Sequence, residues 1–584
     1  MIGGSKMFEH HKKESPIISL AGVGGGISSH LFTSSSGGGG ASYLISRSVR
    51  FDASYTPSMQ KSLGGSDGNR KTYTFACWAK KCSIGEHYED LLSAYNGGDQ
   101  FRFIWEPSGN LEAYSRVGGT TIFHIDTNAK LTDCSAWYHI MLAVDLTQGS
   151  ASNRVKFYVN GTQLTSLTTH TSPINSNSNL MRASTAQVIG KSADSNHFDG
   201  YLADVHLVEG LQLDPSSFTQ TDDDGILQPK EYTGSHGSNG WWLKFADGSS
   251  QSALGTDSSG NGNNMIVNGF TRSAGADDDW SYDSPSSYLD DDGNIRGNFC
   301  TLDSNYTGDA AENGGVSNTA LLKNGNLDHQ STGQWTGSVG TFAIPTTGKW
   351  YWEVECRGGN TNMGICTRVH RLHNTIRDSN ESITVFYSFN GNIYYGYSPS
   401  WNQVADSSVN TYTTGDHIGF AVDMDSSTKT IKFYKDGTLE STYNLPSVML
   451  TAIANHEMFP MIDTYGGTEA RANFGQYPYQ STPPSGYKNL INYNLTNTTI
   501  DTSGTYYGSG LADGPTVFCN GVPTSITVGG SAKTISPTTY DKLAYGFKVK
   551  ATHASATPNT RGTSYSWTIA GTVPFKNARA QFTV

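Results

Sequence analysis

Ala143-Val144-Asp145, a polar turn, and Lys156-Phe157-Tyr158-Val159-Asn160-Gly161 form a stretch that the chain carries twice. The second copy is Ala421-Val422-Asp423, a polar turn, and Lys432-Phe433-Tyr434-Lys435-Asp436-Gly437. In it Ile418, Phe420, Val422 and Met424 alternate with Gly419, Ala421 and Asp423, and Ile431 and Phe433 alternate with Lys432 and Tyr434. One face is therefore apolar and the other is not, which predicts a β-hairpin. The returning strand ends in Asn-Gly or Asp-Gly, a pair that accepts positive φ and closes a tight turn. The copies lie too far apart for a solenoid repeat, so they read as one structural element used in two successive β-sandwich domains.

The rest of the composition agrees with an all-β chain. Its 584 residues are too many for one core and imply three or four domains. The 66 Gly, with 31 Tyr beside 24 Phe, point to many short strands and tight turns. Hydrophobic residues make up 36% and charged ones 15%, enough apolar material for several small cores. A net charge of −12 without any Lys/Arg run argues against a nucleic-acid partner, because duplex binding neutralises phosphates. The longest apolar runs are of strand length, so membrane insertion is not expected. Ile17 to Val23 is too short for a signal-peptide core. The seven scattered cysteines do not form a secreted disulfide framework. Folding in a reducing cytoplasm is the expectation.

In chain order, residues 1–46 lack strand or helix periodicity and hold Gly22 to Gly26 and Gly37 to Gly40. They read either as a loose tail or as an anchor, in which Pro16, Ile17, Ile18 and Leu20 order against another protein ahead of a Gly-Ser linker. Residues 47–275 form a first sandwich, with strands at Ser48 to Phe51, Thr72 to Trp78, Phe101 to Trp105, Leu111 to Tyr114, Trp137 to Leu146, Arg154 to Val159, Ala186 to Ile189 and Phe198 to Val208. Residues 276–299 read as an acidic linker, and Asp222 to Asp224, Asp277 to Asp279 and Asp290 to Asp292 as solvated turns. Residues 300–480 form a second sandwich. Residues 486–584 form a small β domain, with strand-like alternation at Ala544 to Ala551 and Ser564 to Ile569.

The order of motifs in the first sandwich is informative. Tyr73-Thr74-Phe75-Ala76-Cys77-Trp78, Trp137-Tyr138-His139, Tyr158-Val159-Asn160-Gly161, Ile189-Gly190 and Phe198-Asp199-Gly200-Tyr201-Leu202-Ala203-Asp204-Val205 resemble a laminin G-like, concanavalin A-type jelly roll. That fold hosts lectins, adhesion modules and glycosidases. In the second, Gly348-Lys349-Trp350-Tyr351-Trp352-Glu353-Val354-Glu355, Met363-Gly364-Ile365, Gly415-Asp416-His417-Ile418-Gly419-Phe420, the hairpin above, Phe459-Pro460 and Asn473-Phe474-Gly475 resemble a SPRY domain. The resemblance implies partner binding through loops and assigns no catalytic residue. The whole arrangement is similar to tail fibre and other virion surface proteins of tailed bacteriophages. This implies synthesis in the host cytoplasm, a place in the virion, attachment to a host cell-surface glycan or protein, tail or baseplate partners at the N-terminus and a homotrimer. A capsid or baseplate decoration and a polysaccharide-degrading tailspike are the alternatives.

Several residue sets bear on chemistry. Glu353 and Glu355 share a strand face, and a retaining glycosidase needs two carboxyls ~5 Å apart. Gly358 stands where a third acid of the glucanase pattern belongs, and the string is that of a SPRY strand, so no enzyme activity is expected. Cys366, His370 and His373 have zinc-like spacing without a fourth ligand nearby. Asp257, Ser259 and Asn261 copy the first positions of a calcium loop, but Asn268 replaces its bidentate Glu. A plain β-turn is the favoured reading; calcium is the one cofactor considered. For sugar recognition, aromatic faces stack on pyranose rings while Asn, Asp and Arg read hydroxyls. Tyr394, Tyr395, Tyr397, Trp401, Asn402 and Asp406 are candidates on a Gly/Pro/Ser-punctuated loop. Asp194, His197 and Asp199 are candidates in the first sandwich. The tyrosines serve equally well for a domain or trimer contact.

Overall fold

In a computed structural model the described residues are 43–82, 87–171, 174–183, 185–192, 196–222, 225–273, 278–307, 320–333, 335–367, 383–397, 400–452, 457–495, 502–507, 513–519, 521–536, 539–544, 546–550, 563–574 and 580–581. The anchor candidates Pro16, Ile17, Ile18 and Leu20 lie outside them. The chain is all-β: among the described residues the one α-helix is Ser447–Ala452.

The first thirteen strands belong to the first sandwich: β1 (Ser48–Phe51), β2 (Ser58–Ser62), β3 (Thr72–Lys81), β4 (Glu89–Asn96), β5 (Asp99–Trp105), β6 (Leu111–Val117), β7 (Thr120–Thr127), β8 (Tyr138–Asp145), β9 (Val155–Val159), β10 (Thr162–Leu164), β11 (Leu167–Thr171), β12 (Ala186–Ile189) and β13 (Gly200–Glu209). One sheet runs β10-β9-β8-β3-β13-β1 and ends on Trp280–Ser281; the other runs β11-β7-β6-β5-β4-β12-β2 and ends on Ile266–Asn268. Alternation dictates the core between them, because every second residue of a strand faces the opposite sheet. Tyr73 and Phe75 of β3 meet Phe101 and Phe103 of β5 edge to face, at 5.9 Å in both pairs. Each such ring contributes about 2 kcal/mol by burial. Strands β3 and β8 are buried on both faces, since Phe218 and Tyr232 cover the outer side of Ala76, Met141 and Ala143.

The second sandwich repeats the plan. One sheet carries, in order, Leu321–Lys323, Asp328–Gln330, Glu469–Asn473, Lys349–Cys356, His417–Asp423, Thr430–Lys435 and Thr438–Asn444. The other carries Leu302–Thr307, Thr336–Gly340, Met458–Thr464, Thr361–Thr367, Thr384–Ser388, Asn392–Tyr397 and Ser400–Asp406. The duplicated hairpin therefore occupies the same three edge places in both sandwiches. Asn160-Gly161 and Asp436-Gly437 have φ of 48° and 78° and of 47° and 79°, the two positive values that a tight hairpin turn requires. Asn160 N–H donates to His139 O at 2.8 Å and its Oδ1 accepts from His139 N–H at 2.9 Å. Asp436 makes the same two bonds with His417, at the same distances.

Within the expected acidic linker of residues 276–299, Asp279 and Asp283 are buried and not solvated. Asp283 is fully buried and accepts from Lys80 Nζ at 2.9 Å and from Trp137 Nε1 at 2.8 Å. Lys80 Nζ also donates to Asn298 Oδ1 and Phe299 O. Asp279 pairs with buried Arg50 at 3.1 Å. Tyr201 Oη donates to Gly325 O, and Asn326 Nδ2 to Cys82 O, so the second sandwich is bonded directly to the first. The physical reason is that opposite charges lying far apart in sequence satisfy one another once water is excluded. Asp290 does behave as a turn residue, accepting from Asn294 N–H, with Asp291 and Asp292 exposed.

Residues 486–495 join the second sandwich rather than the terminal domain. Lys488–Asn489 pairs in parallel with Lys349–Cys356, and Leu490, Ile491 and Leu495 are buried. The terminal domain has a four-stranded and a three-stranded sheet around Val517, Ile526, Phe547, Val549 and Trp567. It includes the expected strands, as Gly546–Lys550 and Ser564–Pro574. Asp133 Oδ2 ties it to the first sandwich by accepting from Ala544 N–H at 2.7 Å and Gln581 N–H at 3.0 Å. All seven cysteines are buried.

Candidate functional site

The aromatic candidates of the second sandwich lie on a paired edge hairpin and not on a loop. Asn392–Tyr397 and Ser400–Asp406 pair antiparallel, with register shifts at two places, and Ser400–Asp406 is the outermost strand of its sheet. The ladder continues through the small and polar residues because edge strands tolerate them. Strand alternation then divides the tyrosines. Tyr394 stacks on Phe386 at 5.3 Å, and its hydroxyl accepts from Asn390 Nδ2 at 2.9 Å. Tyr395 leans on Tyr443 of the facing sheet at 6.4 Å. Asp406 accepts from Ser408 N–H and, at 2.7 Å, from Ser441 Oγ, bridging the two sheets at their common edge. The side chains of Tyr397, Trp401 and Asn402 lie outside the described residues.

Of the first-sandwich candidates, His197 and Asp199 are among the described residues. Asp194 lies outside the described residues. His197 bridges to Lys191 just before β13; burial, followed by the charges of Lys191 and His87, holds its pKa below the usual value. Asp199 is buried beside it in sequence, and its backbone carbonyl accepts from Cys82 N–H.

The Asp257 turn and the Glu353–Glu355 pair are engaged by internal bonds. Both oxygens of Asp257 are engaged: Oδ1 accepts from Trp242 N–H and Ser259 N–H, and Oδ2 from Ser259 Oγ and Asn263 N–H. Asn261 Nδ2 donates to the carbonyls of Gly237 and Gly240. This is a hydrogen-bonded turn of the kind Asp, Ser and Asn form with nearby amides. Glu353 accepts from Tyr351 Oη at 2.8 Å and from the amides of Gln480 and Ser481, with burial pushing its pKa up. Glu355 instead pairs with Arg357 at 3.0 Å. Cys366 is a core residue of the strand Thr361–Thr367, and His370 and His373 lie outside the described residues.

A polar face that the sequence reading missed crosses β4 to β7 on the side away from the first core. Arg102 clamps Asp90 through two bonds of 2.9 and 2.6 Å. Glu112 stands opposite Asp126, and Tyr114 opposite His124. The Tyr114 ring meets the imidazole edge-on at 5.3 Å. Burial, then Asp126 and Glu106, push the Glu112 carboxyl up to about 7. The signal was present in Phe123-His124-Ile125-Asp126, an alternating string that follows the expected strand Leu111 to Tyr114. An aromatic ring, an arginine and several carboxylates on one half-buried face are the groups that read sugar rings and hydroxyls.

Comparison with known proteins fits these two folds. Residues 56–211 match the concanavalin A-like lectin/glucanases superfamily, and residues 349–477 match the SPRY domain. A concanavalin A-like domain is followed by a SPRY domain. Solved structures similar to parts of the chain include the SPRY domain of human HERC1, at 21% identity over 26% of this chain and 91% of that one, with a TM-score of 0.21. Domains LG4-5 of the mouse laminin alpha1 chain align at 8% identity over 76% of this chain and 94% of that one, with a TM-score of 0.25. No curated protein matches the chain. Sandwiches of these two types bind carbohydrate or protein, and binding is the coarse function they support.

Proposed function

We propose that this chain is a virion surface protein of the tail fibre kind, which attaches to a host cell-surface glycan or protein and has no catalytic role. The observation that carries the reading is the joint between the concanavalin A-like and SPRY sandwiches. The bonds from Tyr201 Oη to Gly325 O, from Asn326 Nδ2 to Cys82 O and from Lys80 Nζ, the partner of Asp283, to Phe299 O hold two binding-type domains in one unit. Two sites held at fixed separation raise avidity without any new contact. On the first sandwich the face with Arg102, Tyr114 and Asp90 takes the ligand; on the second the edge hairpin with Tyr394 and Trp401 does so. The N-terminal peptide joins the tail or baseplate, and three copies associate.

Fluorescently labelled full-length protein added to host cells tests attachment. Saturable binding that competes with adsorption of whole particles is expected, and Trp401→Ala and Tyr114→Ala each weaken it about fivefold, the loss of one stacked ring at about 1 kcal/mol. Absence of saturable binding, or binding that leaves particle adsorption unaffected, overturns the proposal. A molecular mass by light scattering other than three chains removes the trimer from it.

A further inference from the structure

We propose that Glu112, His124 and Asp126 form a binding site for a first-row divalent cation of the zinc, cobalt or manganese class on the outer face of the first sandwich. The site follows from strand register. β6 and β7 are antiparallel neighbours, Glu112 is directly opposite Asp126, and His124 precedes Asp126 by two residues. Residues two apart on a strand share a face, so the three side chains converge. Their ligand atoms lie within 4.8 Å of one another.

The distances favour a metal over hydrogen bonds. His124 Nε2 is 3.4 Å from Glu112 Oε1 and 3.3 Å from Asp126 Oδ1. A good N–H···O bond is shorter, about 2.7–3.2 Å. Ligands about 2.0–2.1 Å from a tetrahedral ion are separated from each other by about 3.3–3.4 Å. A second observation points the same way: Asp126 Oδ1 is buried and has no hydrogen-bond partner. A buried acceptor left open is costly unless a cation takes it. The Glu112 and Asp126 carboxylates stand directly opposite one another, and a dication between them offsets their mutual repulsion. The edge-on Tyr114 ring holds the imidazole in place.

The donor set selects the ion. One imidazole and two carboxylates suit zinc and its neighbours, whereas calcium takes six to eight oxygens. Three protein ligands leave the fourth tetrahedral position for water or for an oxygen of a bound molecule. The site is distinct from the Asp257 turn and stands independently of a place in a virion.

Full-length protein, stripped with chelator and desalted, is titrated with zinc chloride by calorimetry and with cobalt chloride by visible absorption. One equivalent that His124→Ala removes is expected, together with a tetrahedral cobalt band that the same variant abolishes. The isosteric Glu112→Gln and Asp126→Asn preserve shape and still weaken binding, by roughly a hundredfold. Far-ultraviolet circular dichroism of each variant separates loss of the site from loss of the fold. The proposal fails if no equivalent binds, or if the equivalent survives unchanged in His124→Ala and in the two isosteric variants, which would place it elsewhere on the chain.

Discussion

The two sandwiches agree where their information is local and diverge where it is not. Their edge hairpins match down to the paired bonds of Asn160 with His139 and of Asp436 with His417. Away from the hairpin they handle charge differently. The first sandwich buries Lys80, Lys81 and Arg50 in ion pairs with Asp283, Glu89 and Asp279. The second also buries an ion pair, Arg471 with Asp328, but adds a histidine and an aspartate whose charged forms burial disfavours. The hairpin is thus a transferable part, while each buried charge is a solution to one particular neighbourhood.

The joint offers the largest test of that difference. Asp283→Ala leaves the buried Lys80 charge without its counter-ion and the Trp137 N–H without its acceptor, and a loss of about 3–5 kcal/mol is expected. Urea unfolding followed by tryptophan fluorescence measures it. Lys80→Met combined with Asp283→Leu recovers most of the loss; a double variant as unstable as the single one shows that the pair is not the element at stake.

Titration sharpens the second half of the comparison. His329 is fully buried between Ser338 Oγ and Thr464 Oγ1, and burial pushes its pKa down to about 4. The unfolded chain titrates there near 6.5 and so binds more protons between the two values. Stability from this residue is therefore lost as pH falls from about 6.5 to about 4, by about 3 kcal/mol. Asp463 has the opposite sign: burial pushes its carboxyl up to about 7, so its folded form resists ionisation and stability falls as pH rises from the usual carboxylate value toward 7. Stability curves of His329→Gln and Asp463→Asn each lose one slope. Parallel curves for wild type and both variants would exclude the assignment.

The smallest effect tests the likeness itself. Gly161→Ala and Gly437→Ala each force a side chain into positive φ, at 78° and 79°, and each costs about 1 kcal/mol. Neither site is crowded beyond what neighbours can yield, with Leu227 Cδ1 at 3.5 Å and Ser481 Oγ at 3.3 Å. Equal losses in thermal unfolding support equivalence; a loss confined to one copy breaks it.

How much of this was legible follows from sequence distance. The hairpins were legible because Asn160-Gly161 and Asp436-Gly437 carry their own turn geometry and alternation does the rest. The joint was not, because Lys80 finds Asp283 203 residues away and each reads alone as a surface charge. Gly396 and Ser398-Pro399-Ser400 disguised an edge hairpin as a loop. The outer face was half visible: Leu111 to Tyr114 was read as a strand, yet His124 and Asp126 matter only once β7 is paired beside it. Register is set by the partner strand, which a single segment does not contain.

The measurement that tests the account's central claim most directly is immunogold electron microscopy of purified particles with antibody raised against residues 300–584. Gold at the tail tip or along the fibres is the result expected of a host-attachment protein. Gold over the head, or none on the particle, contradicts it and moves the protein to capsid decoration or to a free lectin.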